Sequence, residues 1–309
     1  MTSNSRPSRQ NGVAVIMVML IVALATTLAV YVSLQQNLWQ RQVETQFDHT
    51  QARRIGIVGI DWARAILASD ARNSSVDHEG ELWAQHLPAI PVENGEINGI
   101  IEDRQGLFNL NSIVRSGKTS LPDMVKFQRL LSILDLPLDL APALADWIDS
   151  DNAAQPQGAE DNYYLSLPTP YRCANRPLAE LGELILVKGF STQVMERLKP
   201  FVSVLPTADG INVNFAPAEV LAATIQNLPL SNARMLVQQR RGSPFIDIPS
   251  FRQRLPKGSS IANDNDITVR SNYFRVTGRA SVNNSQVVTQ ALLQRTTQDW
   301  PIVIWQNIQ

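Results

Sequence analysis

The longest apolar run in the chain, Val13 to Leu34, contains no charged side chain, and the next charge after it is Arg41. About 20 apolar residues is the length an α-helix needs to cross roughly 30 Å of hydrocarbon. Helix is also the form in which a single segment satisfies its own backbone there. Ahead of the run lies a polar leader with Arg6 and Arg9 and no acid. A positive N-terminal flank predicts a cytoplasmic leader, with everything after about residue 35 across the membrane.

From Gln35 to about Ser69 the pattern stays helical but becomes amphipathic. Val43, Phe47, Ile55, Val58, Trp62 and Ile66 form one apolar stripe, with Arg41, Glu44, Asp48, Arg53 and Arg64 mostly off it. Continuous with the apolar run, this helix would be roughly 80 Å long. The stripe suits packing on the chain's own domain or against neighbouring helices. Asn73 to Gly99 is rich in Pro, Gly and charge, with a short helix at most around Leu82, Trp83 and Leu87. Ile97, Ile100 and Ile101 begin an extended segment that runs into Leu107–Asn111.

Leu107 to Pro256 reads as mostly helix and repeats itself weakly. Phe108-Asn109-Leu110-Asn111 is echoed by Ile211-Asn212-Val213-Asn214. Each is followed by a helix, then Leu136-Pro137-Leu138 or Leu228-Pro229-Leu230, then a second helix. Asn on both sides of an apolar residue suits a short strand turning into a helix cap. The helix pairs look like SAM-like or helix-hairpin-helix modules. Neither hairpin carries the Gly that would present amides to phosphate, and the first carries Asp135, Asp139, Asp146 and Asp149. Arg240-Arg241 does not offset this, so a protein-contact role is expected and nucleic acid is not.

After Asn263-Asp264-Asn265-Asp266 the period changes to two. Ile267–Val269, Tyr273–Val282 and Val287–Gln294 read as strands, with a hairpin at Asn283-Asn284 and a last strand from Ile302 to Trp305. These strands need a covered face, and the helix near residue 60 and the 97–103 strand are available. The expected fold class is α+β: a long N-terminal transmembrane and stalk helix on a small antiparallel sheet, with a large inserted α-helical domain. The expected divisions are a leader (1–12), a membrane part (13–34), the stalk and first part of the sheet domain (35–106), the insert (107–256, modules 107–206 and 207–256), and the closing strands (257–309).

Composition narrows the chemistry. With 44% hydrophobic residues and a net charge of −1, the chain can bury a core and makes no electrostatic case for nucleic acid or anionic lipid. The single Cys173 excludes an internal disulfide and a cysteine metal cluster. His49, His78 and His86 show no ligand spacing, and no Ser-His-Asp set, phosphate loop or zinc motif is present, so no enzyme activity is expected. One loop stands out. Asp149, Asp151 and Glu160 fall at positions one, three and twelve of an EF-hand-like spacing, although Ala153 and Ala154 occupy positions five and six. Such a loop is solvated or bridged, and Ca²⁺ is the natural bridge outside the cytoplasm; catalysis by a carboxylate pair is the third option, disfavoured because nothing nearby supplies a nucleophile or oxyanion donors.

The N-terminus has three readings: secretory cleavage near Ala23-Leu24-Ala25, an uncleaved anchor, or cleavage between Gly12 and Val13. The basic leader, the Gly and the immediate apolar start resemble the type IV prepilin class. In that class a prepilin peptidase cuts after the Gly and methylates the new amino group, here on Val13. The fifth mature position, usually Glu, is Met17, and no acid appears before Glu44. A subunit lacking this carboxylate cannot neutralise a neighbour's buried amine, and an unpaired charge at that depth costs several kcal/mol. It suits a filament end.

Together, Gly12-Val13 with Met17, the two Asn-x-Asn turns, and Asp146–Asp151 with Gly158–Asp161 resemble the minor pseudopilin K family of type II secretion over nearly the whole chain. The resemblance implies a pseudopilin fold with a bulky insert and bound calcium, placed here on Asp149, Asp151, Glu160 and Asp161. It implies a place at the pseudopilus tip with the I, J and H type minor pseudopilins and the major pseudopilin. Further implied partners are the inner-membrane assembly platform and exoprotein cargo. The implied location is the bacterial inner membrane, single-pass, with the bulk in the periplasm. A minor pilin of a type IV pilus or DNA-uptake system and an anchored periplasmic hydrolase are the competing readings.

Overall fold

The computed structural model describes residues 11–85, 87–296 and 300–309. The leader through residue 10, with Arg6 and Arg9, and His86 lie outside the described residues. The apolar run and the amphipathic stretch form one helix, α1 (Asn11–Asn73), of 63 residues. At 1.5 Å per residue it is about 94 Å long, beyond the expected 80 Å because it continues at both ends. Residues 13–47 are all exposed. The upper part packs only partly on the expected stripe: Ile55 and Ile66 are half-buried against the core, but Val43, Phe47, Val58 and Trp62 stay exposed, while Ala52, Ile60, Ala63 and Leu67 are buried. Small residues decide this. A Cβ on Gly56 would run into the Thr289 hydroxyl, and one on Gly59 would lie 2.6 Å from Ile97 Cδ1. The helix therefore meets the sheet along its smooth face, where the backbones approach most closely.

A hairpin follows, β1 (Leu87–Val92) and β2 (Gly95–Asp103), turning at Asn94 with φ 59°. The sequence pattern missed β1, because Pro88 and Pro91 mask it; proline is tolerated there since β1 is an edge strand. The chain then leaves the sheet for the helical insert. Its elements are β3 (Phe108–Asn109), β4 (Val114–Arg115), β5 (Lys118–Thr119), α2 (Leu121–Ile133), α3 (Leu140–Ile148), α4 (Asp161–Tyr164), α5 (Thr192–Leu198) and β6 (Val202–Ser203). They continue with β7 (Ile211–Asn212), α6 (Ala218–Thr224), α7 (Leu230–Gly242), α8 (Ile248–Gln253) and β8 (Ile267–Thr268). The closing strands are β9 (Tyr273–Val282), β10 (Ser285–Gln294) and β11 (Ile302–Ile308).

The main sheet runs β1-β2-β9-β10-β11, antiparallel throughout. Asp103 pairs with Phe274, so the insert is an excursion between two adjacent strands. Its duplication is explicit in hydrogen bonds. β3 pairs in parallel with β6, and β7 with β8. Asn109 accepts the Asn111 N–H, and Asn212 accepts the Asn214 N–H. Both helix hairpins turn through a left-handed residue just before Leu-Pro, Asp135 (φ 52°) and Asn227 (φ 55°); Asp and Asn accept this conformation more readily than most. The hairpins share one apolar cluster that includes Phe127, Leu144, Trp147, Leu221 and Phe251.

Two boundaries shift. Residues 257–269, expected with the closing sheet, belong to the insert: Ile261, Ile267 and Val269 pack on its cluster, and β8 closes the second module as β6 closes the first. The second strand also ends at Asp103 rather than running on to Asn111. The insert sits at the far end of the stalk. Along α1, Thr45 lies by Ser285 and Asp70 by Arg295, so β10 runs parallel to α1 and ends away from the apolar segment, where the insert departs and returns.

Candidate metal centre

α3 is buried from Leu140 to Ile148, and its end aims the following carboxylates into one loop. Asp149 is the C-cap residue, and Asp151 accepts the Ala153 N–H at 2.8 Å. Glu160 precedes the first turn of α4. Asp146, one turn back on α3 and fully buried, draws the loop inward by accepting the Gln155 N–H at 3.1 Å. Gly158 is required at the closest point, because a Cβ there would collide with the Asp146 carboxylate. Lys188 Nζ holds the loop from outside through the Gln157 and Gly158 carbonyls, at 3.2 and 3.0 Å.

Asp149, Asp151 and Glu160 thereby place one oxygen each within 4.8 Å of one another. Asp149 Oδ1 and both Glu160 carboxylate oxygens are buried without a hydrogen-bond partner among the described residues. Burial, and then the neighbouring carboxylates, push Asp149 up to about 6 and Glu160 up to about 7. Clustered, desolvated oxygens with open lone pairs are the donor set that a hard divalent cation satisfies. The residues present fit calcium.

Asp161 is not part of this set. Its carboxylate accepts the Cys173 N–H at 2.9 Å and faces Arg172 at 3.5 Å, because the start of α4 turns it away from Glu160. Asp146 was legible as an acid but not as the residue that shapes the loop; its place three residues before Asp149 on one helix was the available signal. Cys173 is buried with its thiol pushed up to about 12, chiefly by burial, which makes it unreactive. Gly12, Val13 and Met17 lie near the start of α1, where Val13 and Met17 are exposed.

A second acidic cluster went unread in the sequence. Asp70, Asp77 and Glu81 converge where α1 meets the insert, but a guanidinium already occupies the position a cation would take. Arg295 contacts both Asp77 oxygens at 2.9 and 3.1 Å and Asp70 at 2.9 Å. Asp77 also accepts the Ser271 N–H at 2.7 Å, and its carbonyl accepts from Asn212. Stalk, sheet and insert are therefore joined by one ion-pair network. Burial and then Glu81 raise Asp70 to about 7.

Two family models for type II secretion system protein K match residues 106–207 and 211–270. The chain is 37% identical to the type II secretion system protein K of Pseudomonas aeruginosa, over 93% of this chain and 89% of that protein. It is 33% identical to that of Pectobacterium carotovorum, over 96% of each. Its fold matches a chain in the crystal structure of the GspK-GspI-GspJ complex from the enterotoxigenic Escherichia coli type 2 secretion system. That match has a TM-score of 0.70 at 23% identity and covers 87% of this chain and 99% of that one. A long apolar N-terminal helix, an antiparallel sheet interrupted by a doubled helical insert, and these similarities lead to one conclusion: the chain belongs to the type II secretion system protein K family.

Proposed function

We propose that this chain is a minor pseudopilin that caps the tip of a periplasmic pseudopilus, and that it works mechanically rather than by catalysis. One observation carries the reading. The insert sits at the end of the stalk remote from the apolar segment, while residues 13–47 of α1 stay bare. Bare apolar helix needs lipid before assembly and other stalk helices after it. A bulky body at the opposite end takes the space that the next subunit along a filament axis would need. The missing acid at Met17 agrees, since a terminal subunit has no further amine to neutralise.

In this reading Val13 becomes the methylated N-terminus after a prepilin peptidase cuts at Gly12, and α1 anchors the chain in the inner membrane with its bulk in the periplasm. Its neighbours are the I, J and H type minor pseudopilins and the major pseudopilin. The assembly platform supports it from the membrane, and exoprotein cargo meets the insert. Asp149, Asp151 and Glu160 would hold calcium, which supplies the positive charge that fixes the loop after α3. Mass spectrometry of mature protein should find methylated Val13 first, and immunogold directed at the insert should mark one end of each pseudopilus. A retained leader, or label along the whole length, overturns the proposal.

A further inference from the structure

The acidic loop is held on one side by an element that carries no acid. β4 and β5 pair Arg115 with Lys118, so Ser116 and Gly117 form a two-residue turn, both left-handed at φ 51° and 75°. That primed geometry suits the twist of antiparallel strands. The tip of the hairpin rests on the start of the loop. The Gly117 carbonyl accepts the Ser150 N–H at 3.4 Å and the Ser150 hydroxyl at 3.2 Å. A Cβ on Gly117 would lie 2.8 Å from Ser150 Oγ, so this close approach needs glycine.

Thr119, at the end of β5, stands between two parts of the loop. Gln155 Nε2 donates to its hydroxyl at 2.9 Å, and the hydroxyl faces Asp149 Oδ2 at 3.4 Å. An ionised carboxylate can only accept, and a hydroxyl has one proton to give. With Gln155 on a lone pair, that proton goes to Asp149. Asp149 is therefore held by Oδ2, while Oδ1 is buried with no partner among the described residues. Asp151 is fixed through one oxygen in the same manner, by the Ala153 N–H on Oδ1. Metal ligands are oriented by outer hydrogen bonds of this kind, whose loss typically weakens binding about 10- to 100-fold.

We propose that Thr119 is a positioning residue for the cation site: backed by Gln155, it turns Asp149 so that Oδ1 is presented to the ion. The β4–β5 hairpin carries Thr119 into place through the contact of Gly117 with Ser150. The proposal rests on the reading of Asp149, Asp151 and Glu160 as a calcium site. Thr119 is uncharged and lies 30 residues before Asp149, so the spacing of the acids does not reveal it.

The test is calorimetry of calcium binding to the full chain in detergent micelles, after chelation, with Thr119→Val and Thr119→Ser beside the wild type. Valine keeps the shape and loses the hydroxyl, so affinity should fall about tenfold or more. The melting temperature of the metal-free protein should stay within a few degrees of wild type. Serine keeps the hydroxyl and should retain most of the affinity. Gln155→Leu frees the hydroxyl to turn away and should weaken calcium binding in the same direction. Undiminished affinity in Thr119→Val or Gln155→Leu, or a serine variant as weak as valine, overturns this proposal and leaves the calcium site standing. A metal-free melting temperature that falls together with the affinity assigns Thr119 to folding alone and also overturns it. A wild type that binds no calcium overturns the site and its positioning residue together.

Discussion

Asn111 clasps the backbone of Leu178: its side-chain amide accepts the Leu178 N–H at 2.8 Å and donates to the Leu178 carbonyl at 3.0 Å. Asn214 does the same to Phe245 in the second module, at 2.9 and 2.9 Å. A strand-like backbone pair is thus formed by a side chain, twice, at equivalent places. This explains why both turns read Asn-x-Asn: the first Asn caps its own turn and the second holds the far side of the module.

Replacing either clasp with Ala should therefore be costly and of similar size in the two modules. Each leaves two buried backbone groups unpaired, at about 1–3 kcal/mol apiece, so Asn111→Ala and Asn214→Ala should each lose about 2–6 kcal/mol in urea unfolding. A loss below about 1 kcal/mol at either position would refute the structural equivalence.

Calcium should raise the melting temperature, and chelator should reverse the rise. At a hundred times the dissociation constant the stabilisation is about 2.7 kcal/mol. Asp149→Asn with Glu160→Gln should abolish the response, whereas Asp161→Ala should keep it, since that carboxylate is engaged by Cys173 and Arg172. Loss of the response in Asp161→Ala alone would redraw the site.

The metal-free protein should become less stable as pH rises from about 4 to 7. Asp149 and Glu160 have folded pKa values raised to about 6 and about 7. In that window the folded state binds more protons than the unfolded chain, and stability falls with pH. Calcium needs the ionised carboxylates, so its affinity should climb over the same range. Calorimetry with and without calcium checks both slopes; metal-free stability that rises through the window would contradict the buried cluster.

Arg295→Leu should lose about 3–5 kcal/mol, because it strands the buried Asp77 carboxylate. Hydrogen exchange should then quicken first at Ser271, whose N–H bonds to Asp77. Exchange that instead quickens evenly across the chain would mean the network does not join insert and stalk.

Met17→Glu should leave assembly intact in a complementation assay for secretion, since a terminal subunit requires no acid there. A secretion defect cured by adding the acid would argue against the tip.

The patterns that depend on near neighbours in the chain were legible from the sequence alone. Continuous apolarity from Val13 to Leu34 dictates a helix, period two dictates β9 and β10, and the paired Asn-x-Asn turns announce a duplicated insert. Asp149, Asp151 and Glu160 could be grouped because one short loop carries all three. Other decisions needed residues far apart in sequence to meet. The face of α1 that packs was set by how closely Gly56 and Gly59 approach Thr289 and Ile97, which the hydrophobic stripe of Val58 and Trp62 could not reveal. Arg295 reaches Asp77 across 218 residues, and Asp161 turned away from the acidic loop because Cys173 and Arg172 were waiting for it. Periodicity reports which side of an element is apolar; only tertiary packing decides which side is close enough to touch, and which charges find each other.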